Sequence, residues 1–219
     1  MKNNLFINFY TDKSEERTAE LIFCFKENLK VFDDIVIFIT KEDLHKCLSI
    51  IASQNSLNKC SFFIQDERPT YDAYFKLISL SYGSFDNINV ISNSDMIIPS
   101  DTLSNLPKFL NASTCLALSR WDSKQMDNYT DGAILYDRPD SQDTWIFNGS
   151  ASIINNSAPF TLGLAGCDNA IAHIISKSGY NVINPSKTLK TYHVHLTGVR
   201  NYRTDKPVPP PYKLLPPTK

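Results

Sequence analysis

No stretch of the 219 residues approaches the roughly 20 consecutive apolar residues of a membrane span, and the opening "MKNNLFINFYTDK" places one basic residue ahead of an apolar run too short for a secretory signal. The cytoplasm is therefore the expected location. No segment is dense in lysine and arginine, the formal net charge is −1, and no RNA-binding aromatic motif occurs, so nucleic acid is not expected as a partner. The five cysteines, Cys24, Cys47, Cys60, Cys115 and Cys167, are odd in number and widely spaced. Most stand among apolar residues, which predicts reduced, small, buried side chains rather than disulfides or a zinc site. The seven glycines form neither a P-loop nor a dinucleotide-binding fingerprint, and there is no internal repeat.

What is present is an alternation of short apolar runs with helical patterns. "LFINFY" (Leu5 to Tyr10), "DIVIFIT" (Asp34 to Thr40), "CSFFIQ" (Cys60 to Gln65) and "NINVIS" (Asn87 to Ser92) read as strands. Between them lie an amphipathic pattern from Ser14 with acidic residues in its first turn, a second from Lys41 to about Ser53, and a third after Pro69 and Thr70. This order predicts a single α/β unit over residues 1–205 with a mostly parallel central sheet covered by helices on both faces. The second half is more irregular, with "CLALSRW" and "TWIFNGSASII" as strands around a polar loop, then a glycine-bearing loop leading into a helix that ends at Gly179. Residues 206–219, "KPVPPPYKLLPPTK", are proline-dense and predict an extended tail or linker.

In parallel sheets ligands gather at the carboxyl ends of the strands. There the fourth strand runs into "VISNSDMIIP", where Asn93, Ser94 and Asp95 interrupt an otherwise apolar stretch. Burying a carboxylate costs several kcal/mol unless a cation meets it, so Asp95 is expected to face a crevice rather than the core, although an aspartate after a strand also serves as a plain turn former. His193 and His195, two apart in an extended stretch, point to one side. One carboxylate with imidazoles suits Mn²⁺ or Mg²⁺. In "GLAGCDNAIA", Asp168 opens a helix and is either its cap or a general base. Asp143 is a second carboxylate candidate for the chemistry, and Trp145 beside it either stacks on a sugar ring or belongs to the core.

Taken together, the strand ending in an Asp-x-Asp-like triplet, the glycine-bearing loop with an acidic residue at a helix start, and "GYNVINP" followed by histidines resemble the nucleotide-sugar-dependent glycosyltransferases of GT-A fold, over roughly Leu5 to Tyr202. The resemblance implies a GT-A-like fold, an activity moving a sugar from a nucleoside diphosphate donor, UDP-linked by expectation, to a glycan or other hydroxyl acceptor, and a divalent cation as cofactor. It implies that Asp95 binds the metal with His193 or His195. Asn93 stands where the motif's first Asp would be and keeps the capacity to hydrogen-bond a ribose, with Ser94 between them. It also implies that Asp168 acts as base in an inverting transfer, the loop here being thinner in acidic residues than in inverting members. Phe9, Tyr10, Thr11 and Arg17 would form the nucleotide side, joined by Arg68, with Arg200 and Tyr202 on the diphosphate. Each arginine also has the plain reading of a surface ion pair. Two rivals stay open: a nucleotidyltransferase, which would carry a glycine-rich phosphate loop where this chain has "INFYTDKSEER", and a noncatalytic nucleotide- or glycan-binding module.

Overall fold

The computed structural model describes residues 1–150, 157–198 and 206–219. Strand β1 (Lys2–Phe9) leads into helix α1 (Glu15–Val31). The helix begins where it does because the Ser14 hydroxyl accepts the Arg17 N–H at 3.2 Å and because Glu15 and Glu16 complement the positive end of the helix dipole. After β2 (Asp34–Ile39), helix α2 (Lys41–Ser53) starts the same way on Thr40, whose hydroxyl accepts the Asp43 N–H at 3.4 Å. β3 (Cys60–Ile64) is followed by α3 (Tyr71–Ser81), capped by Thr70 through the Ala73 N–H at 3.3 Å. The remaining elements are β4 (Asn87–Ser92), β5 (Met96–Ile97), α4 (Ser100–Asn105), β6 (Thr114–Leu118), β7 (Trp121–Asp122), β8 (Ile134–Leu135), β9 (Thr144–Asn148), α5 (Cys167–Lys177), β10 (Asn181–Ile183) and β11 (Tyr192–His193).

Among the described residues the main sheet has seven strands in the order β10-β6-β9-β4-β1-β2-β3. β1 pairs in parallel with β2 and β4, β2 with β3, and β6 with β10, as the alternation of strand and helix predicts. β9 is the exception: it enters antiparallel between β4 and β6, with Thr144 opposite both Ser92 and Leu118. Its amino end therefore lies beside the carboxyl ends of its neighbours. That is why Asp143, one residue before β9, stands at the same rim of the sheet as Asn93 and Asp95. The second sheet has the order β5-β11-β7-β8 and carries His193 and Asp122 in register on adjacent strands.

Side chains alternate between the two faces of the main sheet, each covered by its own apolar cluster. Trp145 is fully buried in one of them, edge-on to Tyr71 at 6.4 Å, so the sugar-stacking role considered for it gives way to a core role. Phe9 shares its face of β1 with Leu5 and Ile7 and packs on Phe25 at 5.2 Å. All five cysteines are free, and four are buried. Residues 206–219 carry no helix or strand. They lie against the domain instead of standing away from it as a spacer would, because Val208 and Leu215 are apolar and find places in the core.

Candidate functional site

A cleft of about 420 Å³ opens at the carboxyl ends of β1, β4 and β6. Asn93, Ser94 and Asp95 form the tight turn between β4 and β5 and line it. Two main-chain hydrogen bonds and one from a side chain hold this turn in place. The Asn93 N–H donates to the Asp143 carbonyl at 3.1 Å and the Val194 N–H to the Asp95 carbonyl at 3.0 Å, while the Ser94 hydroxyl donates to the Asn8 carbonyl. Asp95 leaves the sheet here and turns its carboxylate to the cleft.

Two cationic side chains meet that carboxylate. The Arg17 guanidinium, on the first turn of α1, pairs with Asp95 Oδ2 and also donates to Glu20 Oε2 at 2.8 Å and to the Val194 carbonyl at 3.0 Å. His193 Nε2 lies 3.2 Å from the same Asp95 oxygen, while its Nδ1 lies 2.8 Å from Asp122 Oδ1. Glu20, itself buried, accepts the backbone N–H groups of Leu196 and Thr197 at 2.8 Å each. Arg17 and Glu20 thus tie α1 to the segment that carries the histidines. Burial opposes the charged form of Asp95, yet His193 and Arg17 more than offset it and hold the carboxyl well below the usual range. Burial likewise opposes the His193 cation, and Asp95 and Asp122 override it, raising its pKa to about 9.

The same residues suit a divalent cation. Ligand atoms of Asp95, His193 and His195 all lie within 4.8 Å of one another, and the two imidazole rings are 5.4 Å apart. Asp122 faces the His193 nitrogen remote from Asp95, the carboxylate-to-histidine arrangement that orients metal-binding imidazoles. With its Nδ1 proton donated to Asp122, a neutral His193 would turn the Nε2 lone pair toward an Asp95 oxygen. Two acceptors so placed call for a proton or a metal between them.

The cleft also carries two further carboxylates, Asp143 and Asp168. Asp143 accepts from Arg120 Nη1 at 3.1 Å and from the Asn93 side-chain amide at 2.9 Å. Arg120 also bonds Asp122 at 2.9 Å and stacks over the Tyr136 ring at 4.1 Å, so it joins Asp143 to the histidine side. Asp168 sits in the first turn of α5, behind Gly166, whose φ of +77° is the left-handed conformation that glycine adopts without strain. It is not the residue that caps α5, because Gly166 occupies that position. Burial, reinforced by the charge of Asp143, pushes the Asp168 carboxyl up to about 8.

On the β1 side, Tyr10 lines the cleft and its ring lies 4.8 Å from the Arg68 guanidinium. Arg68 and Arg17 line it too. Thr11 turns away and donates from both its N–H and its hydroxyl to Asp43, at 3.1 and 2.6 Å, and Phe9 is in the core, so neither belongs to the lining. Arg200 and Tyr202 lie outside the described residues. Reading the sequence missed Arg120, Asp122 and Glu20. "SRWD" immediately after an apolar strand was a signal of the same kind as "NSD", whereas Glu20 looks like any polar helix residue.

No family model matches the sequence, and no curated protein matches it. Solved structures match it in fold. The mannosyltransferase PcManGT from Pyrobaculum calidifontis, determined in complex with GDP-Man and Mn²⁺, aligns with a TM-score of 0.56 at 15% identity, over 92% of this chain and 58% of that one. Residues 1–349 of S. aureus TarS in complex with UDP-GlcNAc align with a TM-score of 0.53 at 12% identity, over 92% and 62%. A 4-diphosphocytidyl-2C-methyl-D-erythritol synthase from Anaerococcus prevotii aligns with a TM-score of 0.51 at 10% identity, over 84% and 86%. This chain spans less than two thirds of the length of the first two. It has the GT-A-like fold found among glycosyltransferases and related nucleotidyltransferases.

Proposed function

We propose that the protein transfers a sugar from a nucleoside diphosphate donor, UDP-linked in the first instance, to a hydroxyl of a glycan or similar acceptor. The observation that carries this reading is the content of the cleft: ligand atoms of Asp95, His193 and His195 converge in it, and Asp168, at the start of α5, lines the same cleft. Solved structures of the same fold hold GDP-Man with Mn²⁺ or UDP-GlcNAc, which supports a nucleotide sugar as ligand.

In this reading Tyr10 and Arg68 receive the nucleotide, the aromatic face for the base and the guanidinium for phosphate oxygens. Asn93 supplies an amide for the ribose. Asp95, His193 and His195 hold Mn²⁺ or Mg²⁺, which when bound supplies positive charge for the departing nucleoside diphosphate. Asp168 takes the proton of the acceptor hydroxyl, and its pKa of about 8 makes it a stronger base than an ordinary carboxylate. Attack from the acceptor side gives inversion at the anomeric carbon. Asp143 orients Asn93, and its charge helps raise the Asp168 pKa, so that the ionised fraction of Asp168 serves as the base. Arg120 balances Asp143.

A nucleotidyltransferase of the same fold would release pyrophosphate; against it stands the β1 to α1 connection "YTDKS", which has no glycine. The test is incubation with UDP- and GDP-sugars, and separately with nucleoside triphosphate and sugar phosphate, with Mn²⁺ and with EDTA, following nucleoside diphosphate, free sugar and pyrophosphate. Metal-dependent release of nucleoside diphosphate is the expected result. Pyrophosphate formed from a nucleoside triphosphate and a sugar phosphate would move the assignment to the nucleotidyltransferases, and binding without turnover would leave a binding module.

A further inference from the structure

Asp143 stands at the end of the loop 139–143, and the loop 162–166 leads into α5 and Asp168; both loops touch the same third segment, 206–219. In that segment four of the eight non-proline residues donate their N–H groups to the domain. Val208 donates to the Ala165 carbonyl at 2.8 Å, Lys213 to Asn169 at 2.9 Å, Leu215 to Pro139 at 2.8 Å and Thr218 to Asn184 at 2.7 Å. The first two lie on the glycine-bearing loop and the first turn of α5, and the third on the loop leading to Asp143.

Gln142 connects these contacts to the carboxylates. It is buried, and its side-chain amide donates to the Leu215 carbonyl at 3.3 Å and to the Pro139 carbonyl at 3.2 Å. Its own N–H faces the Asp168 carboxyl, and the next residue is Asp143. Gly166 shows how closely the tail approaches from the other side. A Cβ there would stand 2.7 Å from the Tyr212 hydroxyl and 3.0 Å from the Val208 carbonyl. The Tyr212 hydroxyl in turn donates to that carbonyl and closes the turn of the tail.

Free loops of this kind sample many conformations, and ordering them costs about 1–2 kcal/mol of backbone entropy per residue, whereas a proline-rich segment has fewer conformations to lose. Catalytic carboxylates need their separation held to within about 0.5 Å. We propose that segment 206–219 is a brace for the cleft, and that Gln142, with Leu215 and Tyr212, acts as a positioning residue that fixes Asp168 against Asp143. This rests on the reading of Asp168 as the base. The groups facing Asp168 are Cys167 on its own helix, with Sγ 3.2 Å from Oδ1, Asp143 and the Gln142 N–H on the neighbouring loop, and Arg120 after β6. Burial is the largest influence on its titration, so a loosened brace that admits water lowers its midpoint.

The experiment uses the full chain with carboxyl-labelled aspartate. The Asp168 resonance is assigned by its loss in Asp168→Asn and then titrated in the parent, in Gln142→Met, which keeps the length of the side chain but not its donor, and in Leu215→Ala. The expected result is a downward shift of the Asp168 midpoint by about one pH unit or more in both variants. UDP affinity in the presence of Mn²⁺ should stay within about twofold and kcat should fall about tenfold or more, in line with the sensitivity of rate to small misplacement. An unmoved Asp168 midpoint in both folded variants overturns the brace. The titration needs no turnover: if no nucleotide sugar is consumed but the midpoint moves, the tail's hold on Asp168 stands, while the transferase reading and the role of Asp168 as base fall.

Discussion

His193 Nε2 lies 3.2 Å from Asp95 Oδ2 although 98 residues separate the two in sequence. The contact arises because β11 pairs with β5 and β7 in the small sheet, which sets His193 opposite Met96 on one side and Asp122 on the other. Asp95 is one residue before β5, so strand register alone brings the carboxylate and the imidazole together at the mouth of the main sheet.

Asp168 gives the clearest pH dependence. As a base it works only when ionised, so kcat/KM is expected to rise with pH through about 8 and to level off above it. Asp168→Asn should lower kcat by about 10²–10⁴-fold with donor affinity nearly unchanged, as read from initial rates and from calorimetry. A profile already flat from pH 6 upward would remove Asp168 from the role of base.

The same carboxyl affects stability. Its folded pKa of about 8 stands above the value of about 3.9 for an unfolded aspartate, so between those limits the folded state binds more proton than the unfolded state. Stability from this group is full below about pH 4 and is lost as pH rises through about 8. Urea denaturation of the parent should therefore show stability falling between pH 5 and 8.5 in comparison with Asp168→Asn, which lacks this contribution.

Arg120 joins Asp122, Asp143 and Tyr136. Arg120→Ala leaves Asp143 nearly buried without its cation and is expected to destabilise the protein by about 3–5 kcal/mol, whereas Arg120→Ala combined with Asp143→Asn should recover much of that loss. The measurement is the urea midpoint of each variant. Equal stability of the single and double variants would contradict the coupling.

Glu20 accepts both the Leu196 and Thr197 N–H groups and so holds the chain beside His195. Glu20→Gln is expected to weaken Mn²⁺ binding by about 10–100-fold, the range typical of groups that orient metal ligands, while leaving the Tyr10 and Arg68 side of the cleft intact. Manganese binding followed by water-proton relaxation reads this directly.

Much of the fold was legible because the strands are continuous apolar runs and the helices carry their caps in sequence: α2 spans the residues its pattern gives, and Ser14 and Thr70 cap α1 and α3. The direction of β9 was not, since an apolar pattern reads the same both ways. Asp95 stood out as an acidic residue inside an apolar stretch, and His193 and His195 as a pair. Phe9 and Thr11 were placed in the nucleotide site by resemblance, yet the alternation of β1 sends Phe9 into the core and Asp43 takes Thr11. Glu20 and Gln142 escaped notice because the contacts that tie them to the site reach 177 and 73 residues along the chain, and those of Arg120 and Asp122 to Asp143 and His193 span 23 and 71, with only the polar break "SRWD" to mark them.

The most direct test of the account is calorimetric titration of UDP, GDP and their sugars into the protein with Mn²⁺ and with EDTA, repeated for Asp95→Ala. The account predicts binding of a nucleoside diphosphate that needs Mn²⁺ and weakens at least about 100-fold in the variant, while the variant keeps the parent's circular dichroism. Nucleotide binding that is the same with EDTA, or the same after Asp95→Ala, would contradict the proposed metal site, and absence of binding to the folded parent would contradict the donor site itself.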